Sequence, residues 1–360
     1  MTDLELNKGN EEHQTRLYKM RWISILLIGC LSMFMAEVFA GSSQMWFIDP
    51  WSLIVTYPLY LAHLLFFLNL SIKTRRTSIP QLYLWGVLFA LYEAWITKVL
   101  WFGYPGSEGP VLALVGGIAV FEFSTLVFFW HPVLAFVMPI LVFESFTLSQ
   151  ESNLSLEERI FPSHLPYLKK DNKRFLYFCV FIIILGSAFL SINTGFNILV
   201  VIIAISGSIG LIFLFYYLIK QKAPNSFSIY SLKLGKKGLS IVVIYLVALY
   251  VITFIFLLPE RIPSSILPIL IIIGFYGFIG LTLKVSKPSD EIKGEEIEIN
   301  EIYSANFFFK LFGLLLVLGI IFCLVPIIGI LVALPLFIGL FLMGPVFFAI
   351  FLYKNLKQQN

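Results

Sequence analysis

The stretch Tyr92-Glu93-Ala94-Trp95-Ile96-Thr97-Lys98-Val99-Leu100-Trp101 sets a carboxylate and an ammonium inside an apolar run long enough to cross a bilayer. An ionisable side chain near the centre of a membrane helix costs about 2.5–3.5 kcal/mol on insertion scales, and less toward the ends. Such groups persist where they face a cavity or a partner. Glu93 and Lys98 therefore mark the region in which a site is expected.

Outward from this stretch, the rest of the chain has the same apolar character. Its mean hydropathy is +0.91, with 59% hydrophobic and 13% charged residues, against about 25% charged in a soluble domain. Continuous rather than alternating apolar runs specify helices and not a barrel, because backbone groups in lipid must be satisfied within the segment. The expected fold is an all-α, polytopic transmembrane helix bundle of about ten spans: 22–40, 51–72, 80–102, 118–148, 174–192, 196–219, 238–258, 264–284, 306–325 and 330–353. Cys30, Cys179 and Cys323 lie far apart inside apolar runs, so they form neither a disulfide framework nor a metal knuckle. The net charge of +4 comes from short loops beside the spans and is no nucleic-acid signature.

Lys and Arg recur in the N-terminal tail (Arg16, Lys19, Arg21), then in 73–76, 159–174, 220–237, 284–293 and at Lys354 and Lys357. The alternate connections carry none except Arg261. This alternation predicts both termini in the cytoplasm of a cell-membrane protein. The chain divides into a tail (1–21), a four-helix region with the polar residues (22–150), a loop (151–173), a six-helix hydrophobic region (174–353) and a tail (354–360). The first run also has the basic start and the small-residue Val38-Phe39-Ala40 of a signal peptide; its near-spanning length and Glu37 favour a retained helix. Residues 111–148 exceed one span. A single crossing keeps the loop charges consistent, leaving 111–117, with Gly116-Gly117, as a re-entrant or interface-lying piece. His131-Pro132 and Pro139 predict kinks in the following helix.

The second half is expected to be structural. Ala204 with Ser208, and Ser206 with Gly210, have small-xxx-small spacing suited to close helix packing. The acidic loop 290–303 reads as solvated, with an amphipathic docking element as its alternative. No Walker, dinucleotide-binding or zinc-protease motif occurs, and no cofactor is expected.

Topology assigns depths. Glu37, Glu93, Lys98 and Glu122 fall in the outer half, His63 and His131 near mid-depth, and Glu144 at the cytoplasmic end. Trp46, Trp51 and Trp101 fit an outer aromatic belt. The expectation is an outward-facing pocket in helices 1–4, with Glu37, His63, Glu93, Lys98 and Glu122 as binding candidates. Glu93, Glu122 and His131 are the candidates for catalysis. The bland readings are that Lys98 snorkels to headgroups, that Glu37 and Glu144 are solvated, and that the histidines are satisfied core residues. On a straight helix, Glu93 and Lys98 stand about 140° apart, and Glu122 and His131 on opposite faces. Only a kink or local widening would bring the last two to one cavity.

Three segments, AEVFAGSS (36–43), LYEAWITK (91–98) and HPVLAFVMPILVFE (131–144), resemble an uncharacterised family of prokaryotic polytopic membrane proteins. The resemblance covers 20–150 and implies a shared architecture. A more distant similarity is to intramembrane proteases of the CAAX-processing type, with an EExxxR motif and histidines on other helices. Here Ala94 replaces the second glutamate, Lys98 the arginine, and Val127 the phenylalanine before the histidine. Two readings follow: a carrier or binding protein for a small solute or lipid, with membrane lipids around it and a homo-oligomer compatible with the sequence, or a glutamate/histidine-dependent hydrolase.

Overall fold

The computed structural model describes residues 21–222, 224–289 and 301–357. The tail cations Arg16 and Lys19, and most of the acidic loop 290–303, lie outside the described residues. Nine described helices are long and apolar enough to cross a membrane. In chain order, α1 is Arg21–Val38 and α2 is Ser52–Lys73. The third pass is broken into α3 (Ile79–Ala90), α4 (Tyr92–Trp95) and α5 (Val99–Phe102). A two-stranded hairpin, β1 (Leu114–Val115) and β2 (Ile118–Ala119), precedes α6 (Val120–Leu148). Then follow α7 (Lys173–Asn193), α8 (Ile198–Lys222), α9 (Lys236–Phe256), α10 (Leu267–Val285), α11 (Ala305–Leu324) and α12 (Pro326–Lys357). Nine continuous helices and one interrupted pass make the ten crossings of the expected all-α bundle.

Hydrogen bonds show which connections share an end. At the basic end, the Arg76 guanidinium donates to the carbonyls of Leu283, Lys284 and Ser286. There also His164 Nε2 meets Thr77 O at 2.7 Å, and Asn355 Nδ2 donates to Pro80 O at 2.9 Å. At the opposite end Asn193 Nδ2 donates to Ala40 O (2.6 Å), and Arg261 to Gly103 O (3.1 Å). The basic loops thus gather on one face of the bundle.

The bundle is organised around α6. Its most apolar window is 89% buried, against 17% for α9, so α6 is the axis and α9 borders the lipid. α3 packs along α6, and α12 lies against α6 and α7. α11 joins α7 to α8, while α9 covers α2. Contact of α3 with α6 is close because Gly86 has no side chain: a Cβ there would lie 2.7 Å from Pro132 Cα. The small stripe on α8 receives the 41–50 connection. Trp46 Nε1 donates to Ser208 Oγ (3.0 Å), and the Phe47 ring lies over Gly207.

Two sequence expectations are corrected and one open alternative is narrowed. The continuous helix over 80–102 is interrupted where its charged residues lie. Of the two alternatives for 111–117, the re-entrant one is excluded: Gly116 and Gly117, at φ +59° and +79°, make a two-residue turn between paired strands. Two left-handed residues suit the right-handed twist of a hairpin. Leu112 and Val115 are exposed, and Gly116 and Gly117 approach Ile271 and Pro268 at the start of α10. Of the tryptophans assigned to an aromatic belt, Trp46 and Trp101 are core residues and only Trp51 is exposed.

Candidate functional site

Departures from ordinary helix cluster in one place. Phe34–Val38 of α1, Ser52–Thr56 of α2 and Phe123–Val137 of α6 are wound with i→i+5 hydrogen bonds. Such wide turns are rare and concentrate at functional sites. Pro132 lies inside the last of them. It supplies no N–H and pushes away the carbonyl four residues back, so the α ladder cannot continue unchanged.

The break in the third pass is satisfied locally. The Thr97 hydroxyl donates to Glu93 O (2.9 Å) and to Glu93 Oε2, and Val99 N donates to Thr97 Oγ1 (3.4 Å). Lys98 then takes φ +57°, a left-handed value uncommon for a side-chain-bearing residue. Its ammonium donates to Thr253 O (2.6 Å) and Leu257 O, carbonyls at the C-terminal end of α9, and lies 5.5 Å from the Phe254 ring centre. A cation is favoured at the negative end of a helix. Lys98 is therefore neither at the headgroups nor in a pocket; it ties the broken pass to α9.

Glu93 remains on the other side of the break. Its Oε1 lies 2.8 Å from His131 Nε2. From there a chain of hydroxyls leads to α1. Tyr92 OH is 3.5 Å from His131 Nε2 and 3.1 Å from Tyr60 OH, and Tyr60 donates to Glu37 Oε1. Ser42 (2.6 Å) and Ser43 (2.8 Å) donate to Glu37 Oε2. The chain thus has a carboxylate at each end. His131 Nδ1 and Thr125 Oγ1 are buried without a partner.

These groups border a cavity of about 960 Å³, within the range of small-molecule sites. Glu37, Tyr60, Glu93 and His131 form its polar side; Phe189, Ile330, Leu334 and Phe337 form an apolar wall. Non-helical backbone at membrane depth is tolerated where it lines such a space, and Glu93, Thr97 and Val99 all line this one. The cavity meets Ser42, Ser43, Trp51 and Asn193 at the end of the bundle opposite the basic loops. Tyr104 also borders it. Burial, with the Glu122 and Glu93 charges nearby, raises the phenol above its ordinary range, so it stays a neutral hydroxyl.

Of the six residues singled out by sequence, Glu37, Glu93 and His131 come together here. Glu122, His63 and Lys98 do not line the cavity. Glu122 Oε1 accepts from Val111 N (2.8 Å) and anchors the loop before the hairpin. His63 bonds Leu59 O (2.8 Å) and Tyr250 OH (3.0 Å), with its ring stacked on Phe89. The second half is more than scaffold, since α7, α9 and α12 all contribute walls. Tyr60 and Tyr92 were missed as site residues because aromatics in an apolar run carry no polar signal of their own.

Glu144 is fully buried rather than solvated. Its Oε2 lies 2.6 Å from His164 Nδ1 and its Oε1 accepts from Phe161 N at 2.8 Å, pinning the 151–172 segment to the basic end. His164, in a loop with no motif around it, gave no sequence signal. Among the described residues no group of three His, Cys, Asp or Glu side chains is placed to hold a metal.

Ten apolar passes around a largely apolar cavity with one polar side define a multi-pass membrane protein. Residues 26–357 match the Uncharacterized membrane protein family, and the chain belongs to that family. An uncharacterized protein of Archaeoglobus fulgidus is 36% identical over 160 residues, 43% of this chain and 47% of that protein. The match thus spans about half of its relative's length. No solved structure matches the chain.

Proposed function

We propose that the protein binds an amphipathic small molecule or lipid in the 960 Å³ cavity and carries it across the cell membrane. The observation supporting this is the placement of the cavity at an interrupted helix, with apolar walls and a carboxylate–histidine pair on its polar side. Interrupted helices with ionisable groups at mid-membrane are a recurring carrier arrangement. The hydrogen-bonded chain from Glu93 through His131, Tyr92 and Tyr60 to Glu37 favours proton-linked binding. The positive-inside alternation supports a cavity mouth outside and both termini in the cytoplasm. Labelling of a cysteine at exposed Lys73 from the cytoplasmic side alone tests that orientation.

The binding reading is tested by native mass spectrometry of protein extracted in mild detergent, comparing wild type, Glu93→Gln and His131→Ala. A stoichiometric ligand that both variants lose is expected; its absence from every wild-type preparation overturns the reading. A second reading, hydrolysis, is favoured by His131: Nε2 engages Glu93 while Nδ1 lacks a partner, the arrangement of an oriented general base. Turnover abolished in Glu93→Gln with ligand still bound would select it.

A further inference from the structure

The cavity has a distinct electrostatic composition. Glu37 and Glu93 line it, with His131 beside them, and among the described residues no lysine or arginine does. Lys98 sits on the adjacent break but spends its ammonium on the α9 carbonyls. A carboxylate offers about four lone-pair sites. Glu37 accepts from three hydroxyls, and Glu93 from His131, Thr97 and Tyr92, so each carboxylate on the cavity's polar side keeps acceptor capacity. Tyr60, Tyr92, Tyr104, Trp130 and Phe337 line the same space, and aromatic faces attract cations. Thr125 and His131, both more than nine-tenths buried, line the cavity and each hold a polar atom without a partner.

On the binding reading above, we infer that the ligand is an organic cation: an apolar body bearing an ammonium, quaternary ammonium or phosphonium centre. The cationic centre sits by Glu93, between aromatic rings, and the body lies against α7 and α12. An anion or a phosphate headgroup in the same place would meet two carboxylates with no fixed cation to balance them, and like-charge placement is strongly disfavoured. Ile330 and Leu334 both line the cavity and are exposed on the flank of α12, so an apolar body has access from the lipid side.

The test uses two ions of matched shape and opposite charge, tetraphenylphosphonium and tetraphenylborate. Equilibrium dialysis is run on the whole protein in a neutral-headgroup detergent. Saturable phosphonium binding without borate binding is expected. Glu93→Gln should weaken it about tenfold or more, the size of a desolvated charge contact, with size exclusion confirming assembly. Leu334→Trp narrows the cavity without altering charge and should also weaken it, which covers the case in which Glu93→Gln misassembles. Saturable borate binding insensitive to Glu93→Gln would overturn the cation assignment while leaving the cavity reading intact. If neither ion binds but native mass spectrometry finds a retained ligand, the cation assignment alone falls. Binding of neither ion with no retained ligand would sink both.

Discussion

His131 Nε2 stands 2.8 Å from Glu93 Oε1, joining the widely wound middle of α6 to the short helix on the near side of the break in the third pass. Both residues are buried. Removing one partner leaves the other's buried polar atom without its hydrogen bond, at about 1–3 kcal/mol. Glu93→Leu, which strands His131 and leaves Thr97 only its backbone acceptor, should lower the melting temperature in detergent much more than Glu93→Gln, which keeps acceptor and shape. Equal melting temperatures for the two variants would contradict the pairing.

Gly86 sets the distance at which that pair forms. A methyl group there meets the Pro132 backbone at 2.7 Å, next to His131. Backbone cannot yield as a side-chain tip does, and overpacking costs about 1–3 kcal/mol. Gly86→Ala should destabilise the protein by that amount and reduce ligand retention without touching any cavity residue. Unchanged retention would separate α3–α6 packing from the site.

Lys98 carries one cost and one gain. Its left-handed backbone is strained, and its ammonium donates to two carbonyls at the end of α9. Hydrogen bonds from a charged group contribute about 1.5–3 kcal/mol. Lys98→Ala should therefore loosen the end of α9, seen as faster hydrogen exchange at 253–258. Lys98→Gly should be less harmful than Lys98→Ala by about 1 kcal/mol, because glycine adopts positive φ freely.

At the basic end, Glu144 and His164 hold the loop to α6. Glu144→Ala leaves His164 Nδ1 and Phe161 N without their acceptor. Tryptic cleavage within 151–172 should accelerate, and His164→Ala added to Glu144→Ala should change little further, because the coupled pair is already broken. Full additivity of the two changes would argue against the pair.

Asp49 starts α2: Ser52 N donates to its Oδ2 at 2.7 Å, and hydrogen bonds from Ser52, side chain first and then backbone, hold its carboxyl below the usual aspartate range. A depressed carboxyl stabilises fully above the unfolded-chain value of about 3.9 and loses that contribution as pH falls through its lower folded value. Amides of 52–56 should exchange faster in Asp49→Ala than in wild type at neutral pH. The difference should vanish in strong acid.

The sequence by itself determined the membrane class, the ten passes and the segment in which the polar site would lie. These follow from local quantities: the length of apolar runs, the alternation of Lys and Arg, and the cost of Glu93 in lipid. Tertiary structure alone decided which polar residues meet. Glu122 and His63 read much like Glu37 and His131 in the chain, yet they serve a loop and a tyrosine. Lys98 reads as a site cation and proves to be a helix cap, because the end of α9, some 155 residues away in sequence, presents its carbonyls there. The straight-helix angles agreed with the outcome, since Glu93 and Lys98 diverge and Glu122 does not share the cavity with His131, but they did not show what each residue would meet. At the break after Glu93 and the wide turns around Pro132, backbone geometry is set by what packs against it, and no one-dimensional pattern records that.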